Sequence, residues 1–97
     1  MDVGYFIEGT GFEWDADKAR SNRVKHGVTF EEAAEVFFDP FCQFGDASIE
    51  AEIRDFALGY SAGQRSLLVI HLQRAGCIRL ISARLATRAE KKLYEDQ

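Results

Sequence analysis

The second half of the chain constrains the fold most, because strand-like segments follow one another there with very short connections. Residues 54–60 alternate in character, residues 67–72 are almost continuously apolar, and residues 77–83 form a third such segment. The connections at 61–64 and 75–76 are tight turns, and strands joined in this way pair antiparallel. A shorter strand is predicted at 41–45, before a polar loop. The sequence therefore predicts an antiparallel meander.

Two helices are predicted from the residues at their ends. A short strand at 12–14, expected at a sheet edge, leads into a helix that Asp15 can cap and that ends where Gly27 supplies left-handed backbone. A last helix opens at Thr87, and Glu90 completes a capping box with it. Both helices are thus bounded by local signals.

The helix between them has the clearest pattern in the sequence. Thr29 and Glu32 have the spacing of a capping box, and Pro40 ends the helix. Apolar residues at helical spacing predict a stripe that faces the core and consists of Phe30, Ala33, Ala34, Phe37 and Phe38.

These elements predict one α+β domain over residues 1–97, with the order β-α-α-β-β-β-β-α. The helices are expected to cover one face of the sheet. A chain of this length can bury a single modest core, and no repeat or linker divides it.

Charge is distributed unevenly along the chain. The net charge is −4, but residues 1–63 carry a balance of −8 and residues 64–94 a balance of +6. Such asymmetry is a hint of a surface that faces a polyanion. A solvated basic helix face with ordinary strand arginines explains it equally well.

Several classes of protein are not expected. The longest apolar run, residues 67–70, is too short to cross a membrane, and the N-terminal residues lack the features of a signal peptide, so a cytoplasmic protein is expected. Cys42 and Cys77 are interpreted as buried thiols rather than as a disulfide or metal ligands. No metal or other cofactor is expected, since no clustered His or Cys residues and no glycine-rich phosphate loop occur.

Several blocks of sequence, in order and spread over residues 12–94, resemble one known family. They are Phe12-Glu13-Trp14-Asp15, then Lys18, Asn22 and Lys25-His26-Gly27-Val28, then Phe30-Glu31-Glu32-Ala33 and Phe38-Asp39-Pro40, and finally 78–84, Ala86-Thr87, Glu90 and Tyr94. With this spacing the chain resembles the BrnT family of toxins.

The resemblance implies a RelE-like ribonuclease fold and a toxin that blocks translation by cutting RNA. It also implies a BrnA-type antitoxin with a ribbon-helix-helix domain, which neutralises the toxin and represses the operon. Because such antitoxins dimerise, a 2:2 assembly is implied, with DNA contacted only through the antitoxin. Family members often carry a carboxylate before the last hairpin, where this chain has His71-Leu72-Gln73.

RNA cleavage without a metal uses the substrate's own 2′-hydroxyl, so the protein must stabilise charge on the phosphate. Arg79 and Arg84 are the predicted catalytic cations, since a guanidinium binds two phosphate oxygens at once. The helix start at Thr87, together with Arg88, is a predicted phosphate-binding segment. The alternative is that these arginines form structural ion pairs with carboxylates such as Asp55 or Glu90.

Proton transfer has four candidates, His71, His26, Glu90 and Tyr94, of which Glu90 is already explained by its capping box. His71 is assigned a catalytic role, although a histidine buried in an apolar strand is the alternative. Tyr94 is also assigned to catalysis, or to packing of the last helix. His26 and Lys25 are assigned to RNA binding, although both also suit the C-terminus of a helix for purely electrostatic reasons.

Three functions remain open from the sequence. The first is a ribonuclease toxin that inhibits translation. The second is a binding module without turnover, which serves an antitoxin as partner or co-repressor. The third is a small structural α+β domain of unrelated purpose.

Overall fold

The computed structural model describes all residues from 1 to 97 and contains one six-stranded sheet, three α-helices and a 3₁₀ helix. The sheet order is β1-β2-β6-β5-β4-β3. In chain order the elements are β1 (Asp2–Ile7), β2 (Thr10–Asp15), α1 (Ala16–His26), α2 (Phe30–Glu35), the 3₁₀ helix Val36–Phe38, β3 (Gln43–Asp46), β4 (Asp55–Tyr60), β5 (Ser66–Arg74), β6 (Cys77–Leu85) and α3 (Arg88–Glu95). The predicted α+β class is confirmed.

The predicted element order lacked one strand, β1. This strand pairs antiparallel with β2, so β2 lies inside the sheet and its expected position at an edge is wrong. The two strands are joined by a two-residue turn in which Glu8 and Gly9 both have positive φ. Most of β1 is exposed on both sides, so its sequence carries no alternation that would have indicated a strand.

The predicted meander is confirmed for β3 to β6, which pair antiparallel in sequence order. One further ladder makes the sheet mixed, because β2 pairs parallel with β6 at Phe12–Ile78 and Glu13–Arg79. The ladder between β5 and β6 is irregular between Ile70 and His71. The implied relation to RelE-like folds stays a prediction.

Helix α1 has the predicted ends. Asp15 accepts a hydrogen bond from the backbone N–H of Lys18 at 3.0 Å, and Gly27 adopts left-handed backbone with φ of 69°. Only Asn22 is buried among its residues. The helix is therefore held to the domain by few contacts, among which Asn22 is central.

The predicted second helix is shorter than expected. It ends as an α-helix at Glu35, and a 3₁₀ turn carries the chain on toward Pro40. Because a 3₁₀ helix has three residues per turn, the apolar stripe rotates: Val36 is fully buried, whereas Phe38 is 38% exposed. The expected core position of Phe38 is thus wrong, while Phe30 is confirmed.

The capping box of this helix is only half formed. Thr29 accepts a hydrogen bond from the N–H of Glu32 at 3.1 Å, but the Glu32 carboxylate does not return to Thr29. It binds Arg65 instead, at 2.6 and 2.9 Å, and so ties the β4–β5 turn to the start of α2. The hydrogen bonds from Arg65 are the main reason that the pKa of Glu32 is lowered.

The core lies between the sheet and the pair α1 and α2. Trp14 packs edge-on against Phe30 at 5.7 Å between ring centroids, and Leu80 and Ala83 of β6 are fully buried in the same cluster. The opposite face of the sheet is covered only in part, by α3 over β4 and β5. Helices α1 and α3 therefore lie on opposite faces, and the expectation that the helices all cover one face is wrong.

Candidate functional site

Arg79 lies in an ion-pair cluster on the face away from α1. Its guanidinium donates to Glu13 at 2.8 Å and to Asp2 at 3.0 Å, and its side chain is 15% exposed. Arg74 approaches the same Glu13 carboxylate at 3.7 Å. The hydrogen bonds to Asp2 and Glu13 raise the pKa of Arg79 above its ordinary value, and the bond to Asp2 contributes most. The guanidinium of Arg79 is therefore occupied by carboxylates in the free chain.

Arg84 is also paired. It donates to both carboxylate oxygens of Glu90 at 2.8 and 2.9 Å, and Glu90 accepts from the N–H of Thr87 at 2.8 Å. Of the two structural partners suggested by the sequence, Glu90 is correct for Arg84 and Asp55 is wrong. The predicted phosphate-binding start of α3 thus already holds an anion, the Glu90 side chain, and the capping box there is complete.

The two arginines share a face of β6 but are far apart. Arg79 pairs across the ladder with Leu72, and Arg84 with Leu68. Four residues of extended chain separate Leu68 from Leu72, which corresponds to roughly 14 Å. Each guanidinium is held at its own position on the strand by its own carboxylates.

His71 belongs to the core. It is 7% exposed, its ring lies edge-on to Phe37 at 4.8 Å, and its buried Nδ1 has no hydrogen-bond partner. Burial lowers the pKa of His71, which favours the neutral ring. This environment matches the alternative of a core histidine, and the structure does not bring His71 together with Arg79 or Arg84 on one face.

Tyr94 fastens α3 to the rest of the molecule. Its hydroxyl donates to Asp39 at 2.7 Å, and its ring lies 5.3 Å from that of Tyr60. Burial, with the hydrogen bond and charge of Asp39, raises the pKa of Tyr94 to about 12. The side chain is therefore protonated at neutral pH and acts as a donor.

Asp39 is a structural centre that the sequence analysis did not single out. Besides Tyr94, it accepts from the N–H groups of Tyr60 at 2.8 Å and Phe41 at 2.9 Å. Burial acts to raise the pKa of Asp39, but these three hydrogen bonds together hold it below its ordinary value. Its place directly before Pro40, where turns commonly begin, was the available signal.

Two unpaired lysines lie elsewhere, at a cleft of about 190 Å³ between α1 and β6. We call it the α1 cleft, and it is lined by Lys18, Ser21, Asn22, Lys25, His26, Ile81 and Ser82. Lys18 and Lys25 are exposed and form no ion pair or side-chain hydrogen bond within the chain. Of the predicted RNA-binding residues, Lys25 and His26 are thus brought together. Thr87 and Arg88 belong to α3, on the other face of the sheet.

Asn22 fixes the geometry of the α1 cleft. Its Nδ2 donates to the carbonyl oxygens of Val28 at 2.9 Å and Ala83 at 2.8 Å, and its Oδ1 accepts from the N–H of Ala83 at 3.0 Å. The ladder between β2 and β6 does not extend as far as Ala83. The side-chain amide of Asn22 therefore bonds the backbone of β6 there as a neighbouring strand would. An asparagine at the fourth position after Lys18, on the inward side of a polar helix, was the only local sign of this role.

Two further observations concern metal and membrane. No group of three or more His, Cys, Asp or Glu side chains lies close enough together to hold a metal ion. None of the three helices has the length and apolar character needed to cross a bilayer.

A six-stranded mixed sheet, helices mainly on one face and a cleft with two unpaired lysines beside β6 define a small α+β domain. The family model described as "Ribonuclease toxin, BrnT, of type II toxin-antitoxin system" matches residues 14–90, and the chain belongs to this family.

One solved structure supports the assignment. The 1.1 Å crystal structure of the Brucella abortus ribonuclease toxin BrnT is similar, with a TM-score of 0.60 and 27% sequence identity. The match covers 77% of this chain and 94% of that one. No curated protein matches the chain. As a toxin of the type II class, the protein has an antitoxin as its partner.

Proposed function

We propose that the chain is a cytoplasmic endoribonuclease that needs no metal, inhibits translation by cutting RNA, and holds the scissile phosphate in the α1 cleft. The observation that carries this proposal is the pairing pattern of the cations. Arg79 and Arg84 are neutralised by carboxylates, whereas Lys18 and Lys25 are free and lie beside His26.

The cleft offers the groups that the reaction requires. Two ammonium groups can stabilise the charge that develops on the phosphate. Histidine is the side chain best suited to proton transfer near neutral pH, so His26 is assigned to remove the proton from the 2′-hydroxyl. The 2′-oxygen then attacks phosphorus, the bond to the 5′-oxygen breaks, and that oxygen takes a proton from water while His26 returns its own proton to the solvent. The products are a 2′,3′-cyclic phosphate and a 5′-hydroxyl end.

The test uses purified chain freed of its partner, an RNA substrate and mapping of RNA 5′ ends. Replacing both lysines by alanine, or His26→Gln, should lower the cleavage rate by roughly a hundredfold or more. Arg23→Ala is the matched control, because Arg23 is an exposed, unpaired cation of the same helix that lies outside the cleft. EDTA should leave cleavage unchanged, and a cell-free translation reaction should stop when wild-type chain is added.

Variants of Arg79 and Arg84 test the alternative that the reaction takes place on the other face of the sheet. Arg79→Ala and Arg84→Ala would each break an ion pair and lower stability, so their activity is compared at matched folded fractions. If these variants abolish cleavage while the lysine variants do not, the reaction takes place on the other face of the sheet. That result would overturn the assignment of the α1 cleft.

The partner proposed for the chain is a BrnA-type ribbon-helix-helix antitoxin in a 2:2 complex, with DNA bound only through the antitoxin. A specific observation favours a second function, a binding module that acts as antitoxin partner or co-repressor without turnover. Three residues assigned to catalysis from the sequence, Arg79, Arg84 and His71, are engaged in the fold. Wild-type chain that cuts no RNA and arrests no growth, yet binds its antitoxin, would establish this second function.

A further inference from the structure

A groove away from the α1 cleft has the opposite electrostatic character. It encloses about 440 Å³ between the β1–β2 turn, the 3₁₀ helix, the end of β4 and α3, which is within the range of small ligand sites. We call it the acidic groove. Its lining has no basic side chain and contains three carboxylates, those of Glu8, Glu35 and Asp39. Three aromatic rings also line it, those of Phe38, Tyr60 and Tyr94.

The polar groups of this groove are largely free. Glu35 accepts one hydrogen bond through Oε1, from the N–H of Ala62 at 3.1 Å, which leaves Oε2 available. The Glu8 carboxylate, the Tyr60 hydroxyl and the Gln64 side-chain amide form no hydrogen bond or ion pair within the chain. The groove therefore offers acceptors that no group of the chain occupies.

The base of the groove is held by hydrogen bonds and is negatively charged. Oδ1 of Asp39 accepts from the N–H of Phe41, whereas Oδ2 accepts from the backbone N–H of Tyr60 and the hydroxyl of Tyr94 and so positions both tyrosines. The two tyrosine rings lie 5.3 Å apart at an interplanar angle of 71°. Phe38, left partly exposed by the 3₁₀ turn, adds a third ring. A ligand would meet a preformed aromatic wall beneath acidic side chains.

We propose that the acidic groove binds an arginine side chain presented by a protein partner. A guanidinium group is planar, stacks on aromatic rings, and donates several hydrogen bonds in directions that carboxylates accept. It suits this combination of rings and acceptors better than a compact ammonium group, which has fewer donors and no stacking face. The partner's identity as the antitoxin rests on the proposed function.

Other occupants fit less well. RNA would bring phosphate groups next to three carboxylates with no basic residue to offset the repulsion. The carboxylates do not form a cluster of the kind that holds a metal ion. The chain thus presents two surfaces of opposite sign, and the substrate and the protein partner would occupy different ones.

Two short fluorescent peptides that differ only at one position, arginine or its neutral isostere citrulline, test the proposal by fluorescence anisotropy. The arginine peptide should bind about tenfold more tightly, as expected for one charged hydrogen bond. The double variant Glu8→Gln/Glu35→Gln should remove this difference, while glutamine can still accept the bond from Ala62. Glu31→Gln is the control, because Glu31 is an exposed acid of α2 outside the groove.

Three results would overturn the inference: equal affinity for both peptides, a double variant that binds like the wild type, or competition by a short RNA for the same site. Urea unfolding of each variant shows whether it is folded. Since the peptide assay needs no RNA cleavage, the two proposals fail independently. A chain that binds the arginine peptide but cuts no RNA contradicts only the proposed function, and the reverse result contradicts only this inference.

Discussion

The link between Asn22 and β6 gives the sharpest test of how the α1 cleft is built. Asn22→Ala removes three hydrogen bonds between a buried side chain and the backbone of Val28 and Ala83. A typical net contribution is about 1 kcal/mol for each bond. Val28 and Ala83 are both fully buried, so their freed groups gain little from water.

The expected loss is therefore about 3 to 4 kcal/mol, with the upper end reflecting the unsatisfied groups. A small domain has a total free energy of unfolding of about 5–15 kcal/mol, so the variant should still fold. With a urea m-value of about 1.5 kcal/mol/M, the midpoint of unfolding should fall by roughly 2 to 3 M. Fluorescence of the buried Trp14 reports the transition.

Asn22→Asp supplies a signature that a lost contact alone would not give. The introduced carboxylate would face the carbonyl oxygens of Val28 and Ala83 in place of the amide donor, so its charged form is disfavoured and its pKa is raised. An acid with a raised pKa in the folded state destabilises at neutral pH and less so as the pH falls. The difference from wild type should thus shrink between pH 7 and pH 5.

Arg23→Ala on the exposed side of the same helix should change the free energy of unfolding by less than about 0.5 kcal/mol. A loss of less than about 1 kcal/mol for Asn22→Ala would contradict this role of the amide. A pH-independent effect of Asn22→Asp would contradict it as well. Either outcome would mean that α1 is held by contacts other than this amide.

Three further predictions concern α3 and its attachments. Glu90→Ala removes both the ion pair with Arg84 and the capping box, and urea unfolding should show a loss of stability of about 1–2 kcal/mol. Glu90→Gln retains the capping box and should lower stability less. Equal losses for the two variants would contradict this. Folding lowers the pKa of Asp39, so its contribution to stability is present above its ordinary pKa and is lost as the pH falls below about 4. The free energy of unfolding of Asp39→Asn should therefore depend less on pH in acid than that of the wild type. An unchanged pH dependence would refute the assignment. Tyr94→Phe removes one hydrogen bond to Asp39 and should speed hydrogen exchange in α3 but not in α1, a contrast that a general loss of stability would not produce.

The features that the sequence predicted well are local. Asp15, Gly27 and Thr87 mark helix ends through contacts within one turn, and the β4–β6 meander follows from alternation and short turns. The second helix was only partly predicted, because the change to a 3₁₀ turn depends on how Val36 packs against the sheet. A pattern of six residues does not determine whether the helix continues as an α-helix or changes to a 3₁₀ turn.

The features that were missed depend on long-range contacts. Arg79 is paired by Glu13, which lies 66 residues earlier, and by Asp2 on a strand that has no alternating pattern. His71 looked like a proton-transfer group because its strand was known but the covering Phe37 was not. The catalytic cations were therefore expected at Arg79 and Arg84, which are both paired, whereas Lys18 and Lys25 of α1 are unpaired.

The parallel ladder between β2 and β6 determines when the protein can fold during its synthesis. Phe12 finds its partner only at Ile78, and Asn22 finds Ala83. A growing polypeptide on the ribosome cannot close these contacts until nearly all of it has been synthesised. Helix α1 and β2 can therefore dock on β6 only after the chain has left the ribosome.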